Sequence, residues 1–305
     1  MTHRFGTVVL LGPPNAGKST LLNKVLGQKV AIVSSKPQTT RNQITGILTE
    51  DDAQIMFLDT PGVHRLRGKM NRYLLQAAWN AAESADVMVV LVDAYLYTQK
   101  PHLLDKELQP LLKKVATTDL PVYIALNKTD VIKDKKNILP LIQYFTKTWP
   151  NAEILPISAA KGEGVDRLLE SVKQHLPECP AMFPEDQLST VPLRFMAAEI
   201  VREKLFVGLR NELPYTTAVE IEDWEETEKM TTISAAIYVA RDNHKAMVIG
   251  KGGQNLKKIG HDARLDLKQL LGTKVHLELW VRTRRGWTED VPFLQSIGLT
   301  GGMDM

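Results

Sequence analysis

The sequence predicts an α/β unit, an open and mostly parallel six-stranded sheet with helices on both faces, followed by a smaller α+β unit. Three observations carry that prediction. From Thr7 to Leu176, short apolar runs alternate with longer amphipathic segments, the pattern of strands joined through crossover helices. Pro177, Pro180, Pro184 and Pro192 then break the pattern, with little helix-forming sequence between them. Beyond them the order becomes helix, strand, strand, helix, helix, strand. The expected boundaries are residues 1–176 for the first unit, 177–191 for a linker and 192–305 for the second unit with its tail.

Composition agrees and narrows the class. A chain of 305 residues, 44% hydrophobic and 24% charged, can bury two cores and reads as globular. A formal net charge of +3 announces no global affinity for nucleic acid, so a basic patch has to be found locally. The single cysteine, Cys179, excludes an intramolecular disulfide and lies among prolines without ligand-like neighbours, which suits a reducing cytosol. No charged-then-apolar signal opens the chain, and no apolar run approaches the roughly 20 residues that span a bilayer. Any membrane contact is therefore expected to be peripheral.

The first strand, Thr7 to Leu11, runs into Gly12-Pro13-Pro14-Asn15-Ala16-Gly17-Lys18-Ser19-Thr20 and then the helix-like Leu21 to Leu26. This is G-x-x-x-x-G-K-[ST] in its strand, loop, helix context, a phosphate site. Gly12 and Gly17 let successive amides curl toward an anion, the helix N-terminus adds its positive end, Lys18 reaches the outer phosphates, and the Ser19 hydroxyl is available to magnesium. Gln43 to Thr49 and Gln54 to Leu58 form the second and third strands, an antiparallel hairpin joined at Glu50-Asp51-Asp52-Ala53. After them Asp59-Thr60-Pro61-Gly62 offers an Asp for the magnesium shell and a glycine whose amide can approach a terminal phosphate. The fourth strand is Val87 to Val92, and Leu103, Leu104, Leu108, Leu111 and Leu112 give the following helix its core face. Pro121 to Leu126 leads to Asn127-Lys128-Thr129-Asp130, where a carboxylate can accept the N1 and exocyclic amino protons of guanine, a donor pair adenine lacks. Glu153 to Ile157 closes the set, followed by Ser158-Ala159-Ala160-Lys161, small residues that let a loop backbone meet a base edge. The loaded residues all follow strand carboxyl ends, where ligands bind in such sheets.

These four segments, in this order, resemble the motif set of translation-factor-class GTPases. Lys36-Pro37-Gln38-Thr39-Thr40-Arg41-Asn42 is similar to the first switch loop of its Era-type branch, so one of Thr39 and Thr40 is expected to close the magnesium shell; Thr40 is favoured. The resemblance implies GTP and GDP as ligands, magnesium as cofactor, and Lys18, Thr40 and Gly62 as the groups acting on the terminal phosphate. Val63 stands where Ras-type enzymes carry a water-orienting glutamine, which predicts slow intrinsic hydrolysis. A partner's arginine finger, worth ~10³ to 10⁵ in rate, could supply the missing stabilisation. Arg41 is an internal candidate for that role, though a solvated arginine is the expected reading. Asn15 matches the position that ligates a monovalent cation in potassium-activated members. Ser34 to Asn42 and Asp59 to Arg72 are the expected switch segments, and the basic run His64 to Lys69 is read as a solvated loop.

In the second half, Leu193 to Leu209 has helical spacing, and Thr216 to Glu222 and Thr231 to Ala240 read as strands. Gly250-Lys251-Gly252-Gly253 then separates an apolar segment from a helix former containing Lys257 and Lys258. A bare G-x-x-G also fits an ordinary turn between helices. Charge favours a clamp on a nucleic-acid backbone, since residues 241–285 hold 11 Lys or Arg against 4 Asp or Glu, whereas residues 211–230 hold 1 against 7. The element order is similar to a type II KH domain, a single-strand RNA module, and Val275 to Val281 followed by Arg282, Arg284, Arg285 and Trp287 resembles its last strand in the Era family. Pro192 to Leu205 and Glu212 to Tyr215 extend that likeness, with Pro14 and Ala16 as departures from the usual Arg and Val. The resemblance, now nearly full-length, implies a P-loop GTPase domain followed by a type II KH domain. It also implies binding to the 3′ end of small-subunit (16S) ribosomal RNA, assistance in 30S subunit biogenesis, and cytoplasmic residence with peripheral contact at the inner face of the membrane. Two other readings fit the motifs themselves: a P-loop kinase or ATPase carrying an RNA module, and a non-enzymatic RNA-binding scaffold. Thr288 to Gln295 is expected to continue the second unit; the rest of the tail is uninformative.

Overall fold

A computed structural model describes residues 3–34, 36, 40–63, 69–209 and 213–298. The first unit runs β1 (Arg4–Leu11), α1 (Lys18–Leu26), β2 (Ile44–Thr49), β3 (Ala53–Asp59), α2 (Lys69–Glu83), β4 (Val87–Asp93), α3 (Ala94–Gln99), α4 (Leu104–Val115), β5 (Val122–Asn127), α5 (Leu139–Thr148), β6 (Glu153–Pro156) and α6 (Val165–Lys173). Its six strands lie in the order β2-β3-β1-β4-β5-β6, and only β2 is antiparallel to its neighbour. Along β1 the side chains alternate between two cores: Val8 and Leu10 join Leu21 of α1 and Leu168 of α6, while Val9 and Leu11 join Leu108 of α4 and Phe145 of α5. Burial on both faces is why these strands read as continuous apolar runs. The expected hairpin is present, as are all six strands, with ends shifted by three residues or fewer. The six-residue α3 is an addition too short for periodicity to reveal; Asp93 caps it by accepting the Leu96 amide at 2.9 Å.

The second unit runs α7 (Leu193–Gly208), β7 (Thr217–Glu226), β8 (Met230–Val239), α8 (Asp242–Ile249), α9 (Gln254–Leu271), β9 (Lys274–Thr283) and α10 (Val291–Ser296). Its sheet has the order β7-β8-β9, antiparallel then parallel. Ile233, Ala235, Ile237 and Val239 of β8 bury against Leu205 of α7 and Ile259, Ala263 and Leu267 of α9. The tail carries more than expected. Trp287, Phe293 and Leu294 form a small core with Met70 and Leu74 of α2, so α10 joins the second unit to the first.

The proline-rich stretch 177–191 is seated on the first sheet. Gln54 of β3, fully buried, accepts the amides of Met182 and Phe183 at 2.8 and 2.9 Å and donates to Phe183 O at 2.9 Å. Ile47 N of β2 donates to Leu188 O at 2.8 Å, and Ser189 Oγ donates to Thr45 O. This pairing covers the otherwise open β2 edge.

Candidate functional site

The glycines of the first loop are fixed by what surrounds them. Gly12 has φ +151 and a Cβ there would lie 2.4 Å from Leu91 O; Gly17 has φ +100 and a Cβ would lie 2.2 Å from Asn127 Nδ2. No L side chain fits either place. Gly17 caps α1, which begins at Lys18, and Lys18 Nζ donates to Gly12 O and Pro13 O at 3.2 and 3.1 Å. Asn15 adopts φ +62 at the exposed loop tip. Gly62 has a packing reason beside the one read from sequence, because a Cβ would meet Pro14 N at 2.7 Å. Val63 N donates to Gly12 O at 3.0 Å while its side chain is 1% exposed in the core beside Leu11 and Leu58. At that position no polar side chain faces the loop.

Three oxygen donors converge at the start of α1. Ser19 Oγ lies 2.8 Å from Thr40 Oγ1 and donates to Asp59 Oδ2 at 2.5 Å. Asp59 Oδ1 is buried with no hydrogen-bond partner. A hydroxyl pair beside a buried carboxylate with an open oxygen fits a hard divalent cation such as magnesium. Burial lowers the Lys18 ammonium to about 8, with Asp59 opposing the shift. Burial raises the Asp59 carboxyl to about 6, against Lys18, the Ser19 hydroxyl and the Thr60 amide. Each charge is thus under-compensated by the protein, and a phosphate with its cation supplies what is missing. Thr60 Oγ1 donates to Leu10 O at 2.7 Å, which fixes the turn after β3.

The guanine-type loops are tied to this site. Asn127 Nδ2 donates to Ala16 O at 2.8 Å and Asn127 Oδ1 accepts from Ala159 N at 2.9 Å, so this side chain fastens three loops together. Asp130 is exposed, and the buried Ser158 hydroxyl donates to its Oδ1 at 2.7 Å, which aims the carboxylate. Lys128, at φ +66, pairs with Asp93 at 2.6 Å. Thr20 continues α1, Pro61 is buried, and Ala160 is exposed at the end of the last loop. Within the expected switch segments, residues 35, 37–39 and 64–68 lie outside the described residues; Thr40 is placed beside Ser19.

Arg41 corrects an expectation. It is neither solvated nor turned toward the phosphate loop: its guanidinium is 1% exposed and donates to Thr217 O at 2.7 Å, Tyr215 O at 2.9 Å and Pro214 O at 3.3 Å, all in the second unit. Its neighbours are the rings of Phe206 and Trp287, whose centroids lie 5.5 and 5.9 Å away. Those carbonyls engage both terminal nitrogens, the fork that a phosphoryl group would need, and leave only the buried Nε without a partner.

The second loop is open. A Cβ on Gly252 or Gly253, at φ +60 and +76, would meet nothing within 4 Å, and Lys251 is exposed. Beside it, between α9 and β9, lies a groove of about 430 Å³ lined by Gly253, Lys257, Gly260, His261, Arg264, Leu277 and Leu279 among others. Lys258 is exposed on α9 but does not line the groove. Gly260, His261 and Arg264 were missed from sequence, although their spacing from Gly253 and Lys257 marks one helix face. Gly260 permits the close approach of Leu279, whose Cδ1 would lie 3.3 Å from an added Cβ.

Comparison with known proteins bears on both loops. A family model described as 50S ribosome-binding GTPase matches residues 7–128, and a KH-domain model matches residues 212–288. The chain is 56% identical to GTPase Era of Nitratidesulfovibrio vulgaris over 98% of both sequences. Its structure is similar to that of a point variant of Aquifex aeolicus Era bound to GDP and aluminium fluoride, with a TM-score of 0.88 and 39% identity over 97% of this chain and 99% of that one. It is similar, again with a TM-score of 0.88 and 39% identity, to Era in complex with MgGDPNP and nucleotides 1506–1542 of 16S ribosomal RNA, over 98% of this chain and 99% of that one.

Proposed function

We propose that this chain, which belongs to the Era family of GTPases, uses its nucleotide state to govern engagement of the 3′ end of small-subunit ribosomal RNA during 30S biogenesis. The chain is a GTPase, converting GTP to GDP and phosphate. The observation that carries the rest is the near-full-length likeness to an Era structure holding a GTP analogue and that RNA together. The single-strand clamp in this reading is Gly250, Lys251, Gly252 and Gly253 with Lys257, extended along α9 by His261 and Arg264; Lys258 adds charge outside the groove.

The nucleotide residues divide the work. The amides from Asn15 to Thr20 and the Lys18 ammonium surround the phosphates, Ser19, Thr40 and Asp59 hold magnesium, and Asp130, aimed by Ser158, reads guanine. Magnesium, when bound there, offsets charge on the outer phosphates. Gly62 brings backbone close to the terminal phosphate, Lys128 and the Ala159-Ala160 backbone border the base, and Val63 supplies no group to orient water. Turnover by the protein alone is therefore slow. Asn15, at the loop tip, is the residue through which potassium would act, and equal turnover in potassium and sodium would remove it from that role.

Multiple-turnover GTP hydrolysis, measured with and without an RNA carrying the small-subunit 3′ sequence, tests the central reading. A rate raised by the RNA is expected. An unchanged rate together with tight RNA binding would instead favour a scaffold in which nucleotide serves only stability. Cytoplasmic residence with peripheral contact at the inner membrane face belongs to the same reading, and cell fractionation tests it. Among the described residues no helix is long and apolar enough to cross a membrane.

A further inference from the structure

Thr40 and Arg41 are consecutive residues that face the two different units of the molecule. Thr40 Oγ1 sits 2.8 Å from Ser19 Oγ at the candidate metal site, and Arg41 is plugged into carbonyls of Pro214, Tyr215 and Thr217 at the entrance to β7. Adjacent Cα atoms are held about 3.8 Å apart, so a withdrawal of Thr40 carries the Arg41 backbone with it and pulls, through the side chain, on the seated guanidinium. The plug is a discrete contact. Outside it the guanidinium would regain water, and inside it every partner is a fixed backbone oxygen or the ring of Phe206 or Trp287. Packed contacts of this kind switch between arrangements and do not deform smoothly.

The preceding residues are held from the same side. Lys29 pairs with Glu203 of α7 and Asp266 of α9 at 2.6 and 2.8 Å, Val33 N donates to Glu203 Oε1 at 3.0 Å, and Lys36 Nζ donates to the carbonyls of Phe206 and Leu209. Asp266 lies on α9, the helix that opens at the G-x-x-G loop. In this arrangement the metal-facing position of Thr40, the seated Arg41 and an open Gly252-Gly253 loop occur together.

We propose that Arg41 is the positioning residue that couples the nucleotide site to the RNA-binding unit, so that the third phosphate and RNA both favour the arrangement with Arg41 seated. The inference rests on the reading that nucleotide state governs RNA engagement. Linkage makes it reciprocal: the factor by which GTP tightens RNA equals the factor by which RNA tightens GTP.

The test uses the full chain and a single-stranded RNA of the small-subunit 3′ sequence, with affinities measured in Mg-GDP and in a non-hydrolysable Mg-GTP analogue. For the unaltered protein the analogue is expected to tighten RNA binding by at least about fivefold, the lower end of ordinary coupling. In Arg41→Met the two RNA affinities should converge to within about twofold, with GDP affinity retained as the check on folding. Arg41→Lys keeps the charge but lacks the planar fork whose two nitrogens divide Thr217 O from Pro214 O and Tyr215 O, and it should recover part of the ratio. It also serves as the milder variant should Met fail to fold. A full ratio retained in either folded variant overturns the role of Arg41 while leaving the functional reading intact. An unaltered protein that binds RNA equally in both nucleotides overturns that reading, and the inference with it.

Discussion

Two glycine-rich loops each open onto the N-terminus of a helix in this molecule, and glycine serves a different physical need in each. At Gly12 and Gly17 the protein itself fills the space a side chain would take, with backbone oxygen or an amide nitrogen within 2.4 Å of an added Cβ. At Gly252 and Gly253 that space is open, and only the positive φ and outside access call for glycine. The first loop is built to hold a shape whether or not a ligand has arrived. The second is built to be approached. A nucleotide site must present its amides already aligned, whereas a clamp on a nucleic-acid backbone has to admit a chain that comes in along the surface.

The sharpest way to break this comparison is to add the same methyl group to both loops. Gly12→Ala should abolish measurable GTP binding and lower thermal stability severely, because the clash is with Leu91 O in a neighbouring strand end. Gly253→Ala meets only the left-handed strain of about 1–2 kcal/mol, so calorimetry should find the protein folded and GTP affinity intact while RNA affinity falls. Equal damage from the two would end the distinction. Next in size is Asp130→Asn, which removes a carboxylate already aimed by Ser158. Titration with labelled GTP should show affinity weaker by roughly 10- to 150-fold, the worth of hydrogen bonds to a charged group, and unchanged affinity would refute the guanine assignment. Lys251→Asp tests the open loop as an electrostatic contact. RNA binding should weaken across all sequences, with the salt slope reduced by about 0.7 for the lost lysine contact, and GTP binding should be unaffected.

The smallest effect concerns pH at the contact between the two units. Burial opposes the charge on Asp266, yet hydrogen bonds from Lys204 and Lys29 outweigh it and hold the carboxyl below its ordinary 3.8. Burial likewise opposes the charge on Lys29, and its bonds to Asp266 and Glu203 hold the ammonium above its ordinary 10.5. A lowered carboxylate gives stability that is present above 3.8 and lost as pH falls through the folded value. A raised ammonium gives stability that is present below 10.5 and lost as pH rises through the folded value. This network should therefore be insensitive to pH between about 4 and 10. A fluorescence distance between the two units that drifted from pH 5 to 9 would place its control elsewhere.

Much of the site was legible because its signals are local. Gly12 to Ser19, Asp59 and the G-x-x-G loop each declare themselves within a few residues of a strand end or helix start, and short apolar runs between amphipathic segments marked the strands of the first sheet. What stayed hidden depends on distant partners. Asn127 carries the mark of a nucleotide motif, yet both ends of its amide are engaged by Ala16 and Ala159, 111 and 32 residues away. Gln54 is a polar residue in a strand and is fully buried because the proline-rich stretch lies over it. Arg41 finds its acceptors more than 170 residues further along, and the Trp287 and Phe293 tail finds α2, so no periodicity could announce either.

The seating of residues 177–191 along β2 changes what connects the two halves. A free stretch of that length would act as a leash, setting a broad distribution of distances between the units. Here its pairing to Gln54, Ile47 and Thr45 makes it a strut fixed to the first sheet almost to Pro192. A reorientation of the RNA-binding unit that leaves this strut in place must pivot within the few residues between Ser189 and the start of α7, as a crank turns about a pin. With the pivot confined there, a swing of the distant G-x-x-G loop would have to release the Arg41 plug together with the Lys29 pairs and the α2 core around Trp287.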